Sequence, residues 1–320
     1  MDDGGDRALL REAWPEVAGR PGLTQGRYGA AGNLELVVPA ADDGLWVGWF
    51  NRDPVESHAG AAVQRWSGAL RFARGHRYVS ADVTQVDAGP DFLEVVARTT
   101  GGTLRRHVWS PGPGFVDHGE LARAVASCSA VIQRPADGSL QLAVAGPDGR
   151  VRVLEGSPGR DYPAMRFEVA DPGIARVLAV DAAWHDDHLD LVTVGGDQRP
   201  RLHCRHRASS DVGAGPVTAA RLVVEPDGSR LLAVLGSRGR VTVRRVDEPG
   251  DEGTDLGIAD ELAAAPVQAG GRVECHVVLR RGGRLWHHQT GRGGAGTADG
   301  ARPVEAEVWT DGGTATVHRG

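Results

Sequence analysis

Apolar residues in this chain come in short runs, and twelve of those runs form six pairs. The pairs read LELVVPAADDGLWVGW from Leu34, FLEVVARTTGGTLRRHVW from Phe92 and LQLAVAGPDGRVRVL from Leu140. They continue with LDLVTVGGDQRPRLHCR from Leu189, RLLAVLGSRGRVTVRR from Arg230 and VECHVVLRRGGRLWHHQ from Val273. Alternating or continuous apolar runs of this length, rich in Val and Leu and bounded by turn residues, predict strands. Each pair therefore reads as a hairpin. Most of the turns end in Asp-Gly, Gly-Gly or Arg-Gly, where glycine supplies the positive φ that a tight turn needs. The fourth turn uses Asp-Gln-Arg-Pro instead, so a longer or bulged loop is expected there.

A weaker pattern precedes two of the hairpins. AVIQRPADGS before the third and RLVVEPDGSR before the fifth resemble an earlier strand joined through an Asp-Gly turn. The repeating unit thus has at least three strands, with room for a fourth. The first apolar residues after the hairpin turns are Trp46, Leu104, Val151, Leu202, Val241 and Leu285. They lie about 48 residues apart on average, the length of a four-stranded propeller blade.

The two ends of the chain read together as a further unit. EAEVWTDGGTATV (Glu305 to Val317) resembles the first two strands of a blade, and RALLREAWPEVAGRPG near the start resembles the last two. Six complete units plus one split unit predict an all-β, seven-bladed β-propeller with four-stranded blades, one of them closed by the N- and C-terminal strands. Closure leaves no open sheet edge. A single domain over residues 1–320 is expected, with GRGGAGTADG (Gly291 to Gly300) as an outer-strand loop.

Composition narrows the function classes. Hydrophobic residues make up 41% and charged residues 24%, as in soluble globular proteins. All 36 basic side chains are arginine, they form no basic stripe, and the net charge is −6. A nucleic-acid partner, which binds through a dominant positive field, is therefore not expected. Cys128, Cys204 and Cys275 are scattered and odd in number, so the reading is three buried thiols rather than a disulfide framework or zinc site. The acidic start MDDGGDRALLREAW carries no signal-peptide pattern, and no apolar run has the length of a membrane span. The expected location is the cytoplasm.

PGFVDHGELARAVASCSAVIQRPADGSLQLAVAGPDGRVRVLEG (Pro113 to Gly156), with FLEVVARTTGGTL and GGRLWHHQ, resembles a repeat of the tectonin-like bacterial β-propeller lectins, which have fucose-binding-lectin-like repeats. The resemblance covers nearly the whole chain and implies a propeller fold and carbohydrate binding. The lectin strand LWHxW survives here as LWVGW (Leu45 to Trp49) and LWHHQ (Leu285 to Gln289), with a loose version in LRRHVW (Leu104 to Trp109). The other hairpins have lost the tryptophan, which implies few sugar sites.

Sugars stack their C–H faces on aromatic rings and fix their hydroxyls with polar side chains. The candidate ligand-binding residues are Trp46, Trp49, Arg105, His107, Trp109, Trp286 and His288. Against this stands the plain reading that tryptophans fill the wedges between blades. His287 and His288 alternate faces on a strand, so they cannot chelate one metal together. His287 is expected to be buried and hydrogen-bonded, and His288 to accompany Trp286 at a blade surface. No metal site and no cofactor are expected. AWHDDHLD (Ala183 to Asp190) replaces a simple Asp-Gly turn, and His185, Asp186, Asp187 and His188 are the catalytic candidates if the protein is an enzyme. No Walker A loop, GxSxG elbow or HExxH motif occurs.

The leading expectation is binding of a glycan or glycosylated small molecule without chemical conversion. Two alternatives stay open. One is an enzyme or accessory protein of bacterial specialised metabolism with a pocket at the channel mouth. The other is a protein-interaction scaffold.

Overall fold

The computed structural model describes residues 10–13, 15–27, 32–52, 65–86, 91–134, 138–158, 165–185, 187–204, 209–213, 215–225, 227–248, 251–269, 272–290, 302–303 and 305–308. Its strands form six sheets, antiparallel throughout each blade, arranged as a β-propeller with six blades, not the seven expected. The six hairpins read from the sequence are the second and third strands of the six blades. In blade 1 these are Leu34–Pro39 and Leu45–Asn51, and in blade 6 Arg272–Arg281 and Arg284–Thr290.

The inner strands, in blade order, are Gly22–Gln25, Tyr78–Val86, Ser127–Gln133, Val177–His185, Val217–Val224 and Glu261–Ala269. The count of seven failed at the termini. The N-terminal segment supplies the inner strand of blade 1 itself, Gly22–Gln25. Leu10–Ala13 and Glu305–Val308 pair with each other, and the latter adds parallel to the outer strand of blade 1, Arg65–Phe72. The described part of the C-terminal segment is thus an outer edge, not an inner strand. The rest of both terminal segments and the loop Gly291 to Gly300 lie outside the described residues.

Six hydrophobic clusters hold the ring, one at each interface between blades. Val37, Val47, Val83 and Val95 join blades 1 and 2, and Val96, Leu104, Leu142 and Val144 join blades 2 and 3. The seam that closes the ring is equally apolar: Leu34, Leu36 and Phe50 of blade 1 meet Ala265, Val278 and Leu285 of blade 6. Alternation along each strand sends one set of side chains to the preceding blade and the other to the following one. That is why these strands read as nearly continuous apolar runs.

The inner strands expose a backbone edge to the central channel, and buried charges cover part of it. Arg20 grips Asp82 with two hydrogen bonds of 2.8 and 2.5 Å. Asp181 accepts the Leu222 N–H at 2.7 Å, and Arg221 donates to the Leu262 carbonyl at 3.4 Å. The last two contacts run from one inner strand to the next, and Arg20 reaches the inner strand of blade 2 from just before that of blade 1. Burial pushes the Asp181 carboxyl pKa up and the Arg221 guanidinium pKa down. At this belt lies an axial cavity of about 200 Å³.

The turn lengths also correct an expectation. The Asp-Gln-Arg-Pro turn of blade 4 is no longer than its siblings, because Val194 pairs with Pro200 as Ala145 pairs with Val151 and Leu235 with Val241. Gln198 takes the positive φ of 59° that Gly149 and Gly239 take elsewhere. Of the cysteines, Cys275 is buried as expected, but Cys204 is half-buried and follows the strand Pro200–His203 rather than lying in it. The side chain of Cys128 lies outside the described residues.

Candidate functional site

One position of the second strand gives the interfaces their polar chemistry. In the first four blades it is Glu35, Glu94, Gln141 and Asp190, each flanked by apolar residues and each buried. Inner-strand pairing aligns them: Thr24 faces Glu35, Thr84 faces Glu94, Ile132 faces Gln141 and Ala183 faces Asp190. In blades 5 and 6 the same position holds Leu231 and His276. A buried carboxylate is costly unless it is paired and hydrogen-bonded, so each blade needs a partner for it.

The partners differ from cleft to cleft. Between blades 2 and 3, Arg106 takes Glu94 bidentately at 2.8 and 2.5 Å. Between blades 3 and 4, Gln141 and Arg134 both reach Glu155, and the Arg134 guanidinium lies 5.2 Å from the Trp184 ring centre. Between blades 4 and 5, Arg230 donates to Asp190 at 2.8 Å and to His185 Nδ1 at 2.8 Å. Between blades 5 and 6, Arg245 and the Ser229 hydroxyl meet Glu225. At the closing seam His276 and His287 share a 2.9 Å hydrogen bond, with Glu274 held by Arg52 at 3.0 Å. Phe50 and Trp66 set their ring edges against His287.

The cleft between blades 1 and 2 is arranged differently. Asn33 donates to Glu35 at 2.6 Å, and Trp49 stands opposite Glu35 in the strand register. The Trp49 indole is half-buried and lies over glycine backbone: a Cβ on Gly68 would come within 2.7 Å of the ring. Gly68 also adopts a φ of 105°, so no larger residue fits there without strain. On the opposite wall Trp109 is half-buried, and Gln85 accepts the Arg27 N–H at 3.3 Å. An aromatic seam continues below, with Phe72 stacked on Phe115 at 3.7 Å.

The seven ligand candidates from the sequence do not form one site. Trp49, Arg105, His107 and Trp109 face the cleft between blades 1 and 2. Trp46 packs toward blade 6 under the Arg71 guanidinium, 5.2 Å away. Trp286 packs toward blade 5 under Arg281, 5.6 Å away, and His288 shares its face. Arg105 is committed to Asp117 at 2.5 Å, and His107 is buried against the Tyr78 hydroxyl at 3.1 Å. Burial pushes His107 down to about 4 and Tyr78 up to about 12. His287 is buried and hydrogen-bonded. His288 is also buried, at 4% exposure, rather than at a blade surface, and neither of its ring nitrogens has a hydrogen-bond partner among the described residues.

The alternative catalytic cluster lies at one hairpin end. His185 pairs in register with His188, and the turn between them holds Asp187 and Asp186, the latter outside the described residues. His188 Nε2 stands 3.1 Å from the buried Asp190 carboxylate. His185, His188 and Asp190 bring one ligand atom each within 4.8 Å of one another, a spacing that a metal ion can bridge. The Arg230 guanidinium already supplies the cation there, 2.8 Å from Asp190 and from His185. No described helix is long and apolar enough to cross a membrane.

No protein-family profile matches the chain, and no curated protein sequence matches it. Solved structures do. A fungal lectin from Aleuria aurantia, described as a six-bladed β-propeller with a fucose recognition mode, is 12% identical. The match covers 95% of this chain and 100% of that one, with a TM-score of 0.63. AofleA from Arthrobotrys oligospora is 12% identical over 96% of this chain and 95% of its own, with a TM-score of 0.59. SapL1 lectin, solved with α-methyl fucoside, is 13% identical over 93% and 99%, with a TM-score of 0.58. At these identities the likeness is one of fold, and the chain has the six-bladed β-propeller fold that the Aleuria aurantia lectin has.

Proposed function

We propose that this protein binds a glycan without converting it, in the cleft between blades 1 and 2. The observation that carries this reading is the Trp49 indole. Its Cζ3 and Cε3 atoms lie against Gly68, where a Cβ would clash with them, and no guanidinium lies over the ring among the described residues. Trp46, Trp184 and Trp286 each have an arginine over the ring. A partly exposed indole with the partly exposed Trp109 on the opposite wall suits a sugar, whose C–H faces stack on aromatic rings. The fold supports the reading, since SapL1 was solved with a fucoside and the Aleuria aurantia lectin is described by its fucose recognition.

The test is a glycan array followed by calorimetry with fucosylated, methylated and simple sugars. Trp49→Ala is expected to abolish binding while lowering the thermal midpoint only modestly, because the ring is partly exposed. Absence of binding by the wild type at millimolar sugar would overturn the reading. A second reading, an enzyme or accessory protein, draws on the His188–Asp190 pair at 3.1 Å. It predicts turnover of some substrate that His188→Ala removes.

A further inference from the structure

The outer part of the cleft between blades 4 and 5 holds a further feature that points to a ligand. The fourth strand of blade 4 spans only Ser210–Asp211, against Gly114–Ala122 in blade 2 and Met165–Ala170 in blade 3. With that wall shortened, a cleft of about 1150 Å³ opens against the third strand of blade 5, Arg240–Arg245. Val241 and Val243 of that strand pack toward blade 6, so alternation turns Arg240, Thr242 and Arg244 toward the opening.

Arg244 is under-bonded. Its Nη1 donates to the Gly213 carbonyl at 3.1 Å. Its Nε and Nη2 are shielded from water and have no hydrogen-bond partner among the described residues. Four carboxylates line the cleft, Asp211, Glu248, Asp251 and Glu252, and the first three are engaged, Glu248 by Arg245. Asp211 binds Arg199 and the Gly213 N–H, and Asp251 accepts the N–H groups of Arg245 and Gly253. Arg240, on the same strand, is paired with Asp255. A guanidinium left with two idle donors carries a desolvation cost that a ligand can relieve.

The idle edge has a defined chemistry. Nε and Nη2 are the two donors that Arg106 offers to Glu94 in the bidentate pair between blades 2 and 3. That fork matches a carboxylate in geometry and charge. Arg244 makes one hydrogen bond among the described residues, to a neutral carbonyl, with Asp251 and Asp211 attracting its charge; turning the fork toward a ligand exchanges that bond for two charge-assisted ones. Around it the cleft offers the hydroxyls of Ser210, Ser237 and Thr242. We propose that this cleft binds a small hydroxylated carboxylate, held bidentately by Arg244.

Two sources share that chemistry, an acidic sugar and a non-sugar hydroxy acid. Calorimetric titration of the full chain with glucuronate, glycerate and glucose separates them. Binding of glucuronate alone assigns an acidic sugar, and binding of both acids assigns a small hydroxy acid. Either result supports the proposal if Arg244→Gln weakens it by about tenfold or more, as loss of a charge-assisted bidentate contact should. Arg244→Lys keeps the charge, loses the fork and is expected to weaken binding as well, which provides a second variant if the glutamine form does not fold. Failure of both acids to bind at millimolar concentration overturns the proposal. So does binding that both variants retain, or glucose competing equally with glucuronate. Trp49→Ala should leave the carboxylate titration unchanged, so failure here and failure of the glycan reading are distinguishable.

Discussion

His107 and His288 occupy matching places in the third strands of blades 2 and 6, both turned toward the preceding blade, and both are buried. Burial lowers the pKa of each. For His107 the folded value is about 4 against an ordinary 6.5. Between those values the unfolded chain takes a proton that the folded chain refuses. Stability therefore falls as pH drops from about 6.5 to about 4, and this contribution stays constant below. The shift corresponds to a loss on the order of 3 kcal/mol. Denaturant unfolding across that range should show the loss, and His107→Gln should flatten it. A His107→Gln profile as steep as the wild type would contradict the assignment. His288 differs, because no hydrogen bond among the described residues compensates its burial. His288→Leu should raise stability by about 1 kcal/mol in thermal unfolding, since an unpaired polar group is removed from an apolar wall. The sequence shows why the two neighbouring histidines face apart. It did not show that His288 is buried, because burial depends on how closely blade 5 approaches.

At the scale of the element, the hairpin was the legible unit. Period-2 alternation and a glycine at the turn placed the second and third strands of all six blades. The turn chemistry then invites a direct comparison. Gly149 has a φ of 70°, and a Cβ there would come within 3.2 Å of the Arg176 backbone. Gln198, in the same place one blade on, adopts 59° with a side chain. Gly149→Ala should cost about 1–3 kcal/mol in denaturant unfolding. Gln198→Gly should cost nothing or stabilise slightly. The repeated polar position escaped the sequence reading although it was printed there, in Leu-Glu-Leu, Leu-Glu-Val, Leu-Gln-Leu and Leu-Asp-Leu. A lone acid inside an apolar run reads as the solvent side of a strand. In a propeller both sides of the strand face other blades, so the acid is buried and must find a partner.

Across the whole molecule, the misread termini are instructive. Two strand-like ends looked like a split blade because pairing partners cannot be read from pattern alone. In the fold the seam between blades 6 and 1 is closed by apolar packing and by Gln25, whose amide bonds both the N–H and the C=O of Gln268. Deletion of residues 305–320 removes from the described fold only an outer strand of blade 1, and the ring should stay cooperative when it unfolds. All six clefts carry paired polar groups, and the one between blades 1 and 2 adds, beside its Asn33–Glu35 bond, an indole over which no guanidinium lies among the described residues. Sugar binding should accordingly be sparse rather than repeated around the ring. The measurement that tests this most directly is the stoichiometry of a neutral sugar, titrated by calorimetry into the wild type and Trp49→Ala. One site per chain, lost in the variant, is the predicted result. Several equivalent sites per chain, or one that survives Trp49→Ala, would contradict it.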